Sequence, residues 1–107
     1  MRSISESDWR RFKELHRELL GRYCKQTLNL LIDAGQAPGE DFHGAYLEVR
    51  EILLERHREM AELFDDFRRS TATIQLFLMR RRGLLADSDL VGFSEELCSR
   101  LCSLDDL

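Results

Sequence analysis

The sequence is poor in helix-breaking residues and lacks the common catalytic motifs. Its 107 residues include one proline and six glycines, too few for a turn-rich β architecture. It contains no Gly-x-Ser-x-Gly, no glycine-rich phosphate loop and no dinucleotide-binding fingerprint. A catalytic site assembled from scattered residues would carry no such motif. The sequence therefore favours a non-enzymatic protein without excluding an enzyme.

Other absences bear on the compartment. No stretch approaches eighteen consecutive apolar residues, so we expect no membrane-spanning helix. Residues 1–6 contain one arginine and no apolar run, which is not the pattern of a secretory signal. Three cysteines form no paired disulfide framework. Together these features predict a protein of the reducing cytoplasm.

The length and net charge of the chain further limit the classes of protein to which it could belong. A chain of 107 residues is long enough for one domain, spanning 1–107, that folds without disulfides or a structural metal. The 16 basic and 20 acidic residues give a net charge of −4. Nucleic-acid binders usually carry a basic excess, so nucleic acid is an unlikely partner.

Apolar spacing predicts a first long helix, which begins at Ser5 or Ser7 and runs to about Asp33. Either serine hydroxyl can accept a hydrogen bond from a free backbone N–H of the first turn. Residues 34–40 are the richest in glycine and proline, with Gly35 as a left-handed cap and Pro38 as a stop. We expect the tip of a helical hairpin there. The repeating apolar residues of this helix are Trp9, Phe12, Leu15, Leu19, Leu20, Tyr23, Leu30 and Leu31.

The second helix, from about Asp41 to about Phe67, has apolar residues on two sides. A helix of this kind covers two neighbours, or one neighbour in its own chain and one beyond it. The main stripe, which steps by three and four, is Tyr46, Val49, Leu53, Met60, Leu63, Phe64 and Phe67. The second stripe, at seven-residue steps, is Leu47, Leu54 and Ala61.

After this helix the pattern favours a break between residues 65 and 71 over one kinked helix from 41 to 82. A third helix is predicted over Ser70–Arg82 and is closed by Gly83. A turn then leads to a last helix capped by Ser94. The predicted fold is all-α: a long antiparallel helical hairpin, a third helix and short C-terminal helices.

Two helices of about 40 Å make a thinly covered monomer, because a compact chain of this length has a radius of gyration of about 13 Å. Pairing two hairpins into a helical bundle across a homodimer would cover the exposed stripes. We therefore predict an interaction or adaptor protein that binds a copy of itself or another helical protein. The predicted partner-binding residues are Tyr46, Leu47, Arg50, Leu54 and Ala61.

The first alternative is a bundle that binds a metal or small ligand. His16 lies on the apolar arc of the first helix and His57 at the edge of the main stripe, and a hairpin tip near residue 37 would place them at similar heights. With Tyr23 they could form a ligand site. The simpler interpretation is two partly buried imidazoles with hydrogen-bond partners. We favour that interpretation and predict no cofactor.

The second alternative is weak nucleic-acid or acidic-partner binding through Arg80, Arg81 and Arg82. Arginine clusters hold phosphates well. They also suit the negative end of a helix dipole, and no exposed aromatic residue is interleaved with them to stack a base. We favour the interpretation that these arginines are solvated and stabilise the helix end.

Overall fold

The computed structural model describes residues 3–105. About 80% of the chain is helical, and none of the described residues is in a strand. The fold is all-α, as predicted. Its helices are α1 (Glu6–Gly35), α2 (Phe42–Phe64), α3 (Ala72–Arg81) and α4 (Glu95–Asp105), with 3₁₀ turns at Arg69–Thr71 and Asp87–Gly92. Within the described range, none of these helices has the length and apolar character needed to cross a bilayer.

α1 begins with a local cap and ends later than predicted. The Ser5 hydroxyl accepts a hydrogen bond from the backbone N–H of Asp8 at 3.2 Å, which confirms the predicted N-cap. The prediction that Gly35 is a left-handed cap was wrong. Gly35 stays helical, where a side chain would just touch Val49 of α2. The left-handed conformations that reverse the chain are taken by Ala37, Gly39 and Glu40.

The predicted break after α2 is confirmed, and it comes three residues before the expected end of the helix. Asp65 is extended and Asp66 is left-handed, with φ of 52°. The Thr71 hydroxyl lies 2.6 Å from the Asp66 carbonyl and accepts from the Arg68 N–H at 3.1 Å. These contacts fix the corner. α2 ends early because Phe67 turns back onto α1.

The C-terminal elements are held by two local signals that the sequence predicted. Gly83 is left-handed, with φ of 72°, and the N–H of Leu84 donates to the Met79 carbonyl at 2.9 Å. This is the hydrogen bonding of a glycine-terminated helix end. The Ser94 hydroxyl accepts from the N–H of Leu97 at 3.2 Å and caps α4.

The hydrophobic core lies at the end of the hairpin that is remote from its tip. It joins the first half of α1 and the end of α2 to α3, the second 3₁₀ turn and α4. The molecule measures 52 × 24 × 24 Å and has a radius of gyration of 16.6 Å. A compact chain of this length has a radius of gyration of about 13 Å, so the molecule is elongated. The core residues are Ile4, Phe12, Leu15, Leu19, Tyr23, Leu63, Phe64, Ala72, Leu76, Met79, Leu84, Leu85, Phe93, Leu97 and Leu101.

Candidate interaction surface

The hairpin is covered over only part of its length. We define its distal half as residues 24–56. Within that half only Thr27 and Ala37 are buried, whereas all the large buried side chains lie outside it. The cause is length: α1 has 30 residues and α3 only 10, or about 45 Å against about 15 Å. The C-terminal elements cannot reach the tip.

The distal half exposes large apolar side chains. Of the ten large hydrophobic residues exposed in the described chain, eight lie there, and their exposed fractions run from 44% to 71%. Single exposed hydrophobic residues are ordinary, whereas a concentration on one element marks an interaction site. We call this set the distal surface: Leu28, Leu30, Ile32, Phe42, Tyr46, Leu47, Leu53 and Leu54.

α2 separates its apolar and acidic residues onto opposite sides. At about 100° per residue, Phe42, Tyr46 and Leu53 fall within about 40° of one another, and Leu47 and Leu54 follow about 100° further round. The acidic residues occupy an arc centred about 150° from the apolar one. α2 therefore has one apolar flank and one charged flank. The acidic arc is Glu48, Glu51, Glu55, Glu59 and Glu62.

α1 turns Leu28 and Ile32 away from the C-terminal elements, whereas Leu30 lies about 160° from Leu28 on the other side of the helix. Arg22 marks the covered side, because its guanidinium donates to Asp89 at 2.7 Å and to the Leu84 carbonyl at 2.9 Å. Leu28 lies about 120° round the helix from Arg22, and Ile32 is close to Leu28. The apolar flank of α1 thus lies on the uncovered side of the hairpin.

The five predicted partner-binding residues are all exposed. Tyr46, Leu47 and Leu54 belong to the distal surface, whereas Arg50 lies between them and Ala61 lies nearer the core. The main stripe is buried over only part of its length. Tyr46 is 66% exposed and Leu53 48%, since no third element reaches them.

The structure separates His16 from His57. The His16 ring stacks on Phe67, with centroids 3.6 Å apart, and burial lowers the pKa of the imidazole. His57 is exposed and precedes Phe64, another ring neighbour of His16, by seven residues, or about 10 Å along the axis. Among the described residues no group of three or more His, Cys, Asp or Glu side chains could hold a metal ion.

The expected pairing of the histidines assumed a hairpin tip near residue 37. The observed neighbours across the hairpin, Gly35 with Val49 and Tyr23 with Glu59, place the symmetry point near residue 41. α1 is longer than predicted, and the connection beyond it takes up the turn. The register is therefore shifted by several residues.

Tyr23 belongs instead to a polar network at the edge of the core. Its hydroxyl lies 2.9 Å from the Glu59 carboxylate and 3.0 Å from the Arg56 carbonyl, and it can donate a hydrogen bond to either oxygen. Burial, reinforced by the Glu59 contact, raises the pKa of Tyr23 to about 12. Burial also opposes ionisation of Glu59, but hydrogen bonds from Arg82 and Tyr23 outweigh it and lower the pKa of Glu59.

This network joins three helices where the covered part of the hairpin ends. Arg82, at the end of α3, bonds Glu59 of α2 at 2.8 Å. The Arg56 guanidinium lies 4.1 Å from the Tyr23 ring and donates to Thr27 at 2.9 Å. Such contacts between remote segments leave no spacing signal in the sequence. The network fixes the base from which the distal half projects.

The three consecutive arginines do not converge on one site. Arg80 bonds Asp87 at 2.9 Å, Arg81 lies 5.7 Å from the Phe77 ring, and Arg82 bonds Glu59. Each guanidinium thus has its own neighbour in the chain. The geometry does not present them together to a phosphate.

A cavity of about 230 Å³ lies between the start of α1 and α4. Its walls carry both signs of charge, with Asp8 and Glu96 against Arg69 and Arg100. The Asp8 carboxylate is already engaged, because it accepts from the N–H and hydroxyl of Ser94 at 2.7 and 2.6 Å. This cavity selects no class of ligand.

Comparison with protein-family models, with curated proteins and with solved structures gives no match for this chain.

Proposed function

We propose that this protein is a non-enzymatic helical interaction module of the cytoplasm, which binds a second copy of itself or another helical protein through the distal surface. One observation carries the proposal. Eight large apolar side chains on the distal half of the hairpin are 44–71% exposed, and no element among residues 3–105 covers them.

The free energy available at this surface is of the right size for association. Complete burial of a large apolar side chain contributes about 1.5–3 kcal/mol, so a half-exposed one retains about 1 kcal/mol. The seven residues other than Leu30, which lies on the other side of α1, give about 7 kcal/mol per protomer and about 14 kcal/mol in a symmetric pair. Association costs about 4–15 kcal/mol. The gain from burying the distal surface is therefore about as large as the cost of association or larger.

The shape of the surface favours a helical occupant. The distal halves of α1 and α2 form two antiparallel ridges about 10 Å apart. A second helical pair can lie in and beside the groove between them, as in a four-helix bundle. The acidic arc of α2 lies on the other flank, so burying the apolar side does not require burying those carboxylates.

Two substitutions by arginine, one on the distal surface and one outside it, test the proposal. Leu54 on the distal surface is 48% exposed, and Ile74 on α3 is 44% exposed. Leu54→Arg should shift the protein to monomer in native mass spectrometry and sedimentation velocity, with helical content unchanged. Ile74→Arg is the matched control, because it changes the same chemistry at equal exposure outside the surface.

Three outcomes would contradict the proposal. The first is a wild-type protein that stays monomeric at high-micromolar concentration and captures no helical partner. The second is loss of association with Ile74→Arg as much as with Leu54→Arg. The third is a bound metal or small molecule, seen as extra mass that acid unfolding removes, which would make ligand binding the better description.

A further inference from the structure

We infer that the distal surface is covered by a second copy of this chain whose hairpin runs antiparallel to the first, with Leu28 of both copies on the two-fold axis. The two tips then point in opposite directions, and each tip lies over the α1 helix of the other copy. This inference rests on the proposed function and specifies its occupant and geometry.

The first argument is the composition of one arc of α1. Arg17, Gly21, Cys24, Leu28 and Gly35 lie within about 60° of one another, and Gly35 borders α2, where a Cβ would lie 4.0 Å from Val49. Gly21 and Gly35 are each seven residues from Leu28. An antiparallel crossing centred on Leu28 therefore sets each copy's Gly21 against the other copy's Gly35, so that the helices can approach closely on both sides of the axis.

Gly21 has no explanation within the protomer. It lies in the interior of a helix of 30 residues, where glycine is less favourable than alanine. A Cβ at this position would meet no atom within 4 Å. Close approach of another backbone is a general reason for glycine in a helix, and the adjoining Leu28 and Ile32, 57% and 60% exposed, supply the apolar contact such a crossing needs.

The second argument is charge complementarity. The tip carries the exposed acids Glu40 and Asp41, and the arc of α1 nearer the core carries the exposed Arg17. Arg17 forms no ion pair with any described residue. The antiparallel crossing places each acidic tip over the other copy's Arg17, since positions 17 and 39 are equally far from Leu28. A parallel arrangement would instead set the acids against themselves.

The third argument is area. From Arg17 to the tip, the overlapping face is about 33 Å long and about 20 Å wide, the width of two helices, or roughly 650 Å² per copy in projection. A stable interface buries roughly 800 Å² per partner. The overlap is therefore of dimer size, and it leaves the two cores at opposite ends, where they do not collide.

Cysteine cross-linking tests the two-fold axis. In a chain with Cys24→Ser, Cys98→Ala and Cys102→Ser, the substitution Leu28→Cys should give a disulfide-linked dimer on mild oxidation, because a residue on the axis faces its own copy. Gln26→Cys is the control. It is exposed on the same helix about 160° away, and it should remain monomeric on a denaturing gel.

Small-angle X-ray scattering provides a second test without any substitution. The antiparallel pair should have a maximum dimension of about 75 Å, because only the distal halves overlap. A side-by-side parallel pair keeps the 52 Å length and doubles one 24 Å width, so its maximum dimension should be only about 60 Å.

Charge reversal tests the contact between tip and helix. Arg17→Glu or Glu40→Lys alone should weaken dimerisation about three- to tenfold, and the two together should restore it. Arg81→Glu, on α3, changes the net charge by the same amount as Arg17→Glu and should leave dimerisation unaffected.

The results separate the inference from the function on which it rests. A dimer that Leu54→Arg disrupts, but with a maximum dimension near the shorter value of about 60 Å and no cross-link through Leu28→Cys, would overturn the antiparallel geometry and leave the interaction module standing. A monomer at all concentrations would overturn self-association itself. A cross-link through Leu28→Cys, a dimension near 75 Å and rescue by the double reversal would support the inference.

Discussion

Replacing Gly21 by alanine should raise the stability of the protomer and weaken its self-association. Gly21 lies near the middle of α1 on its solvent-exposed side, and a Cβ there would meet no atom within 4 Å. Alanine is more favourable than glycine in such a helix by about 1 kcal/mol. For a domain of this size that gain should raise the Tm by about 4–8 °C, measured in dilute solution where the monomer dominates.

In the proposed antiparallel dimer the same methyl group would lie where the two helices cross most closely. Adding a methyl to a close contact costs about 1–3 kcal/mol. We expect the dissociation constant to rise at least about tenfold, since a factor of ten corresponds to about 1.4 kcal/mol. Thermal unfolding below the dissociation constant and sedimentation velocity across it measure the two effects separately.

Gly44→Ala is the control for the gain in helix propensity. Its Cβ would run into the Asp41 carboxylate, which accepts from the Gly44 N–H at 3.0 Å and caps α2. Displacing that cap costs about 1 kcal/mol and offsets the propensity gain. If Gly21→Ala lowered protomer stability, the site would not be free of intramolecular contacts. If it strengthened association, the close crossing would be refuted.

Two further predictions concern aromatic residues at the core. Burial lowers the pKa of His16, so the unfolded chain binds more protons and the free energy of unfolding should fall as pH drops below the ordinary value of about 6.5, by at most about 1.4 kcal/mol per pH unit. His16→Phe should flatten that slope in urea denaturation between pH 7.5 and 5.5, and an unchanged slope would show that other groups cause it. Tyr23→Phe removes the hydroxyl contacts with Glu59 and Arg56 and should cost about 1 kcal/mol. Because the pKa of Tyr23 is raised to about 12, the wild type should also lose stability as pH rises above about 10, a loss the variant should lack.

The helices and their breaks were predictable because their signals are local. The Ser5 and Ser94 caps each act on a backbone N–H three residues away. Gly83 supplies the one left-handed residue that ends α3. Apolar spacing shows which residues share a helix face, and it also showed that α2 has two apolar sides.

The register between α1 and α2 was not predictable, because it depends on the conformation of the connection between them. Three left-handed residues, Ala37, Gly39 and Glu40, set the reversal, and two of them are not glycine. The resulting register brings His16 to Phe67 rather than to His57. The contacts of Tyr23 with Glu59 and of Glu59 with Arg82 likewise depend on three elements that meet only in the folded chain.

Coverage of the hairpin also could not be read from periodicity. An apolar residue at helical spacing looks the same whether an element of its own chain packs on it or not. Leu53 and Leu63 both lie on the predicted main stripe, yet Leu63 is fully buried and Leu53 is 48% exposed. The difference lies in the length of α3, which ends level with Glu59 through its contact with Arg82. Beyond that level the stripe has no partner in the chain, and the assignment of these residues to a partner remains a prediction.

The covered half of the hairpin fixes the conformation of its uncovered distal half. Helix initiation is costly and propagation is not, so once the core fixes the first half of α1, the second half extends as the same helix. The network around Tyr23 and Glu59 fixes α2 and α3 at the point where cover ends. The distal half is thus ordered from one end and can present apolar side chains in a set geometry. A partner that binds it need not supply the ordering of the helices themselves, which is the main cost when flexible segments associate.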